Sequence, residues 1–137
     1  MLYLFDTSAL LVHFLNEPGA DQLLGLFDEP ENECCLTSIT LAEFARKLRE
    51  YGQSPPDIER RLDSYLPLYT AILPVDLAVA RHCTQLLNLV PQRIPLIDAL
   101  IASTASVHNA CLVHRDKHLA TIPGDVLSQM NLAKSVG

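Results

Sequence analysis

The stretch LYLFDTSALL, residues 2–11, sets four apolar, β-prone residues directly against a carboxylate. Leu2 to Phe5 read as a buried strand. SALLVHFL, residues 8–15, reads as a helix that stops before Pro18-Gly19. Asp6 therefore falls one residue past the carboxyl end of a strand, where an uncompensated charge is costly if buried.

Working outward, helix-like and strand-like segments alternate. ADQLLGLF (20–27) is a second helix, with Leu23, Leu24 and Phe27 on one face. ECCLT (33–37) is a short apolar strand. TLAEFARKLREYG (40–52) keeps a three-four rhythm of apolar residues and closes at Gly52, a good terminator. Pro55-Pro56 starts a helix that runs on through IERRLDSYLPLY (58–69). AILPV (71–75) is a third strand, and its proline marks a strand end or edge. Asp76 caps a helix through Leu89. PLIDALIASTASVHN (95–109) is a helix apolar nearly all round at its start, CLVH (111–114) a fourth strand, and ATIPGDVL (120–127) the place for a last short strand. Strands separated by helices imply crossovers and a mainly parallel sheet with helices on both faces. In such sheets sites form beyond the carboxyl ends of the strands.

The 137 residues carry no repeat, low-complexity tract or composition break, so one domain spanning 1–137 is expected. No apolar run approaches the roughly 20 residues of a membrane span. No basic region precedes the first apolar stretch, so the expectation is a cytoplasmic chain without a signal peptide. Cys34, Cys35, Cys83 and Cys111 form no CxxC pair and read as buried thiols of a reducing compartment. The net charge of −6 argues against passive coating of nucleic acid. That objection weakens where acids gather around metal ions, because bound cations reverse the local field.

Three further acids repeat the pattern of Asp6. Glu43 sits in ITLAEFA, one turn into the helix after the second strand. Asp98 sits in the most apolar helix, and Asp116 follows CLVH with Arg115 between. The apolar segments around Asp6, Glu43 and Asp98 hold no Lys or Arg before Arg46. Mg2+ or Mn2+, which prefer carboxylate oxygen, would relieve such a cluster. Carboxylates around one or two such ions form a site for phosphodiester hydrolysis. Each acid also has a plain structural reading. Asp6 and Asp116 could cap the turns that follow them, Glu43 could complete a capping box with Thr40, and Asp98 could face a helix dipole.

In that order, MLYLFDTSALL, SITLAEFARKL, IPLIDALIASTA and LVHRDKHLATI resemble the PIN domain family, and its VapC-type toxins in particular. The resemblance runs essentially end to end. It implies an α/β fold, a PIN-like α/β/α sandwich around a mainly parallel sheet. It also implies a metal-dependent endoribonuclease using Mg2+ or Mn2+, with Asp6, Glu43, Asp98 and Asp116 as catalytic and metal-binding residues and Thr7 or Ser8 in support. Its partners would be an RNA substrate and a cognate antitoxin, and a homodimer could use the apolar helices at 20–27 and 56–69. Relatives often carry a further acid or Asn shortly after the fourth; here LATIPGD offers only Asp125, nine residues on.

Arg46, Lys47, Arg115 and Lys117 flank these acids and are candidate contacts for RNA phosphates. The histidines of HRDKH lie at a strand end and make no zincin motif, so His13, His82, His108, His114 and His118 read as surface or substrate contacts. Two alternatives stand beside the nuclease. An Asp-based phosphatase or phosphotransferase would need an acid at position 8, where Ser8 stands. An inactive binding module would have kept the fold and lost the chemistry. No GxxxxGK[ST], GxGxxG or GxSxG motif is present.

Overall fold

The computed structural model describes residues 1–132. The strands β1 (Leu2–Phe5), β2 (Glu33–Thr37), β3 (Ala71–Leu73), β4 (Cys111–His114) and β5 (Gln129–Asn131) form one sheet in the order β3-β2-β1-β4-β5. Every pairing is parallel. The helices are α1 (Thr7–Phe14), α2 (Ala20–Asp28), α3 (Ser38–Glu50), α4 (Pro55–Tyr65), α5 (Leu77–Leu89), α6 (Leu96–Val107) and α7 (Lys117–Ala120), with a 3-10 turn over Leu66–Leu68. The chain builds outward from β1 to β2 and β3, then returns to add β4 and β5 on the other side. The order thus reverses between β1 and β4, which opens a crevice at the carboxyl edge of the sheet.

The strands explain the layers. Side chains alternate along a strand, so successive residues serve opposite faces. Leu4 and Leu112 pack with Leu86, Ala99 and Ala102 of α5 and α6. Phe5 and Val113 pack on the other face with Leu10, Leu23, Phe44 and Leu48 of α1, α2 and α3. Both faces are covered, which is why the strands read as continuous apolar runs instead of alternating ones. The four cysteines are buried and free, as their apolar surroundings suggest.

Local signals set most element ends. Asp6, Ser54 and Asp76 each accept a hydrogen bond from the backbone N–H three residues on, capping α1, α4 and α5. Gly52 adopts φ +85° just after α3, a left-handed conformation that glycine takes without strain.

Two expectations need correction. The α3 helix starts at Ser38, not Thr40, because β2 runs into it without a loop and Thr37 is its N-cap. Thr40 is therefore inside the helix and forms no capping box with Glu43; its buried hydroxyl has no partner among the described residues. The last strand is Gln129–Asn131, not part of 120–127. Pro123 instead makes a turn, its carbonyl accepting from the N–H groups of Val126 and Leu127. Ile122 and Leu127 reach the core from that turn, which accounts for the strand-like apolar pattern there.

The packing argument has a direct test. Leu112→Ala should lower the unfolding free energy by about 2–5 kcal/mol in urea titrations, the usual cost of emptying a core site. Leu77, 68% exposed on α5, is the control; its change to Ala should stay within about 0.5 kcal/mol.

Candidate metal centre

Asp6, Glu43, Asp98 and Asp116 line one cavity of about 490 Å³ at the carboxyl edge of the sheet. They arrive from four places in the fold. Asp6 follows β1, Asp116 lies two residues past β4, Glu43 sits on α3, and Asp98 stands in the first turn of α6. The reversal between β1 and β4 brings Asp6 and Asp116 to one crevice. The α3 and α6 helices approach it from opposite faces of the sheet.

Asp6 is 2% exposed. Its backbone N–H continues the sheet ladder to the Val113 carbonyl at 3.1 Å. Its Oδ1 accepts from the Ala9 N–H at 2.8 Å, so it does cap α1. The Ser8 hydroxyl donates to the same carboxylate, 2.7 Å from Oδ1 and 2.9 Å from Oδ2. Ser8 Oγ in turn accepts from the Arg115 N–H at 2.8 Å, which ties the loop after β4 to the end of β1. Thr7 also lines the cavity, and its buried hydroxyl has no partner among the described residues.

Asp116 caps α7, its Oδ1 accepting from the N–H groups of His118 at 2.7 Å and Leu119 at 3.3 Å. His118 Nδ1 lies 3.3 Å from the same oxygen. All three contacts fall on Oδ1, so Oδ2 has no protein partner among the described residues. A carboxylate oxygen of Asp98, one of Asp116 and a ring nitrogen of His118 lie within 4.8 Å of one another. Glu43 has a long ion pair to Arg46, at 3.8 Å.

The electrostatics show the acids facing one another. Burial pushes the Asp6 pKa up to about 7, against the pull of the Ser8 and Ala9 hydrogen bonds, and the charges of Asp116 and Asp98 push it further. Burial likewise pushes Asp98 up to about 6, with Asp116 and Glu43 adding to the rise and His118 opposing it. The cations at the rim leave most of the cluster uncompensated: Arg46 reaches only Glu43, at 3.8 Å, and Lys47 pairs with Glu50 at 3.4 Å. Convergent hard oxygen donors, several without a protein partner among the described residues, fit a divalent cation such as Mg2+ or Mn2+.

The other singled-out residues divide. Arg46 and Lys47 line the cavity. Arg115 and Lys117 do not: the Arg115 guanidinium bonds Glu17 Oε2 at 3.0 Å, and Lys117 points to solvent. Asp125 is exposed in the turn after α7 and lies outside the cavity. His118 takes the remaining place beside the acids. Its only sequence signal was its position two residues after Asp116 in RDKH, which the zincin comparison set aside.

A family model of the PIN domain matches residues 3–125. Among solved structures, the chain is similar to a chain of the VapBC2 complex of Rickettsia felis, determined bound to a DNA fragment from its promoter. That match has 25% identity and a TM-score of 0.78, and covers 96% of this chain and 98% of that one. It is also similar to a chain of a toxin–antitoxin complex from Klebsiella pneumoniae, with 27% identity, a TM-score of 0.70, and 95% and 97% coverage. VapBC-1 of nontypeable Haemophilus influenzae shares the fold at 21% identity, with a TM-score of 0.77 over 97% and 99% of the two chains. A search of curated proteins finds no match.

The raised Asp6 pKa implies a pH-dependent stability. The folded chain holds a proton on Asp6 that the unfolded chain has released, between the ordinary value of 3.8 and about 7. Stability therefore falls as pH rises through that window, and the full penalty stands above it. In chelator-treated thermal melts the parent should lose melting temperature between pH 5 and pH 8. Asp6→Asn, which keeps an acceptor for Ala9, should lose less and be the more stable of the two at pH 8. Equal slopes for parent and variant would contradict the buried-acid account.

Proposed function

The chain belongs to the PIN domain family, and on that footing we propose that it is a VapC-type endoribonuclease that cuts RNA phosphodiester bonds in the cytoplasm. Asp6, Glu43, Asp98 and Asp116 are the proposed ligands of Mg2+ or Mn2+. The observation that carries this reading is the meeting of four carboxylates from four separate elements in one cavity with no matching set of cations. When bound, a divalent cation neutralises the cluster, polarises a phosphoryl oxygen and makes water more acidic.

The chain's own residues supply the rest. Asp6 would hold the cation as the carboxylate, the plane of its two oxygens set by the Ser8 hydroxyl. Thr7 lends a free hydroxyl beside them. Asp116 keeps Oδ1 on the α7 backbone and offers Oδ2. Arg46 and Lys47 at the rim meet the RNA phosphates and hold the chain over the acids. The half-buried His118 imidazole stands beside the acids, where it would meet the substrate.

A cognate antitoxin is the proposed inhibitor, in line with the toxin–antitoxin complexes among the similar structures. A cationic segment laid into the cavity would satisfy the same carboxylates, an Arg guanidinium best of all. The proposed homodimer uses α2 and the α4 end, where Leu24 and Leu68 stand exposed beside an apolar groove. No observation favours the phosphatase: Ser8 is held between Asp6 and Arg115.

Purified chain should cleave RNA with Mg2+ or Mn2+ and stop with chelator. Asp6→Asn should lower the rate by more than the roughly 10–100-fold that outer-shell changes cost at metal sites. Saturating Mn2+ should raise the melting temperature of the parent, because it binds only the folded state, and not that of Asp6→Ala. Lys47→Ala should weaken RNA binding and flatten its salt dependence, whereas Lys117→Ala should leave both unchanged. Metal-independent cleavage, or an Asp6→Asn variant as active as the parent, would remove the proposal.

A further inference from the structure

His114 is completely buried at the end of β4, two residues before Asp116, and nothing in the proposed chemistry uses it. Its ring makes two hydrogen bonds whose polarity is forced from both ends. At one end, the Ile122 carbonyl can only accept, so the Gln129 Nε2 group 2.9 Å away donates to it. Gln129 Oε1 must then accept from His114 Nε2, at 2.7 Å. At the other end, the Asp116 backbone N–H can only donate, so His114 Nδ1, 3.0 Å away, must accept. Both routes give one state, a neutral imidazole with its proton on Nε2. The side chain bonding the N–H two residues on is the geometry of an Asx turn, made here by a ring nitrogen.

We propose that His114 is the positioning residue for Asp116, with Gln129 of β5 fixing the ring and the Nδ1 lone pair holding the Asp116 amide. Asp116 is clamped on both sides. Its N–H is held by His114, and its Oδ1 is held by the N–H groups of His118 and Leu119. Oδ2 is the atom left to face the cavity. The edge strand β5 thereby becomes part of the site, although its own side chains do not line the cavity. The inference rests on the reading of Asp116 as a metal ligand and adds what aims it.

The two amide replacements separate positioning from plain core packing. Asn places Oδ1 where Nδ1 stands and can still accept from the Asp116 N–H; Gln places its amide near Nε2 and leaves that N–H without an acceptor. His114→Asn should bind Mn2+ close to the parent, followed by the melting shift. His114→Gln should bind about tenfold or more weakly, the range seen when an outer-shell partner is lost, and its Asp116 amide should exchange faster with solvent. In the unsubstituted chain, ring nitrogen NMR at neutral pH should show the Nε2–H tautomer, and the Asp116 amide should be protected. A ring protonated on Nδ1, or a Gln variant that binds Mn2+ and protects Asp116 as the parent does, overturns the proposal. A parent that binds Mn2+ but cuts no RNA overturns the nuclease reading while still supporting the clamp. If the substituted chains fail to fold, the tautomer and amide protection of the parent decide alone.

Discussion

Like charges gathered out of water are the constraint on which this structure turns. Asp6 sits just past the end of the central strand of a sheet buried on both faces, and the carboxylates of Asp98 and Asp116 share a cavity with it. Nothing about folding favours that arrangement. Burial and the neighbouring carboxylates raise the proton affinity of Asp6 and Asp98, and of the two rim cations Arg46 reaches only Glu43 while Lys47 pairs with Glu50. A site of this kind persists because the surrounding fold overdetermines it, and under the proposed function a divalent cation would relieve it.

The fold supplies that overdetermination by giving the acids structural duties as well. Asp6 caps α1 and Asp116 caps α7, a contribution of about 0.5–2 kcal/mol each by the usual measure of N-caps. Capping and ligation are therefore not rival explanations for these two residues. In Asp116 the duties are divided between oxygens, Oδ1 to the backbone and Oδ2 to the cavity. In Asp6 the Ser8 hydroxyl spans both oxygens and fixes the plane of the carboxylate. Asp98 and Glu43 have no capping duty and are held by the helices that carry them.

A chain of net charge −6 must attract a polyanion locally if it acts on RNA. The cations are distributed accordingly. Arg46 and Lys47 lie one helical turn beyond Glu43, at the rim, where the proposed function has them meet phosphate; of the four acids they reach only Glu43, through Arg46. Arg115, which the sequence places just as near Asp116, is turned outward by Glu17 and braces the turn after α1 against the loop after β4. The same residue thus serves the site through its backbone, by bonding Ser8, and not through its charge.

The sequence by itself determined the class of fold and the first four strands, the third ending at Leu73 before its proline, and it singled out the four acids that line the cavity. Those features are local: apolar runs of strand length, and carboxylates set where an apolar neighbourhood leaves them conspicuous. It also determined the cap at Asp76 and offered caps at Asp6 and Asp116 as one of two readings, because a cap is read from a few adjacent residues. The tertiary structure alone decided the rest. Only the strand order brings Asp6 beside Asp116, more than a hundred residues away, and only the α3–α6 approach adds Glu43 and Asp98. The place of β5 depended on pairing with β4, which a three-residue strand cannot announce, and the apolar turn at 120–127 imitated it. The roles of His114, His118 and Arg115 depended on partners far off in sequence or on the direction a side chain takes from a turn. Hydrogen-bond polarity, burial and ion pairing are properties of the assembled neighbourhood, and no spacing along the chain encodes them.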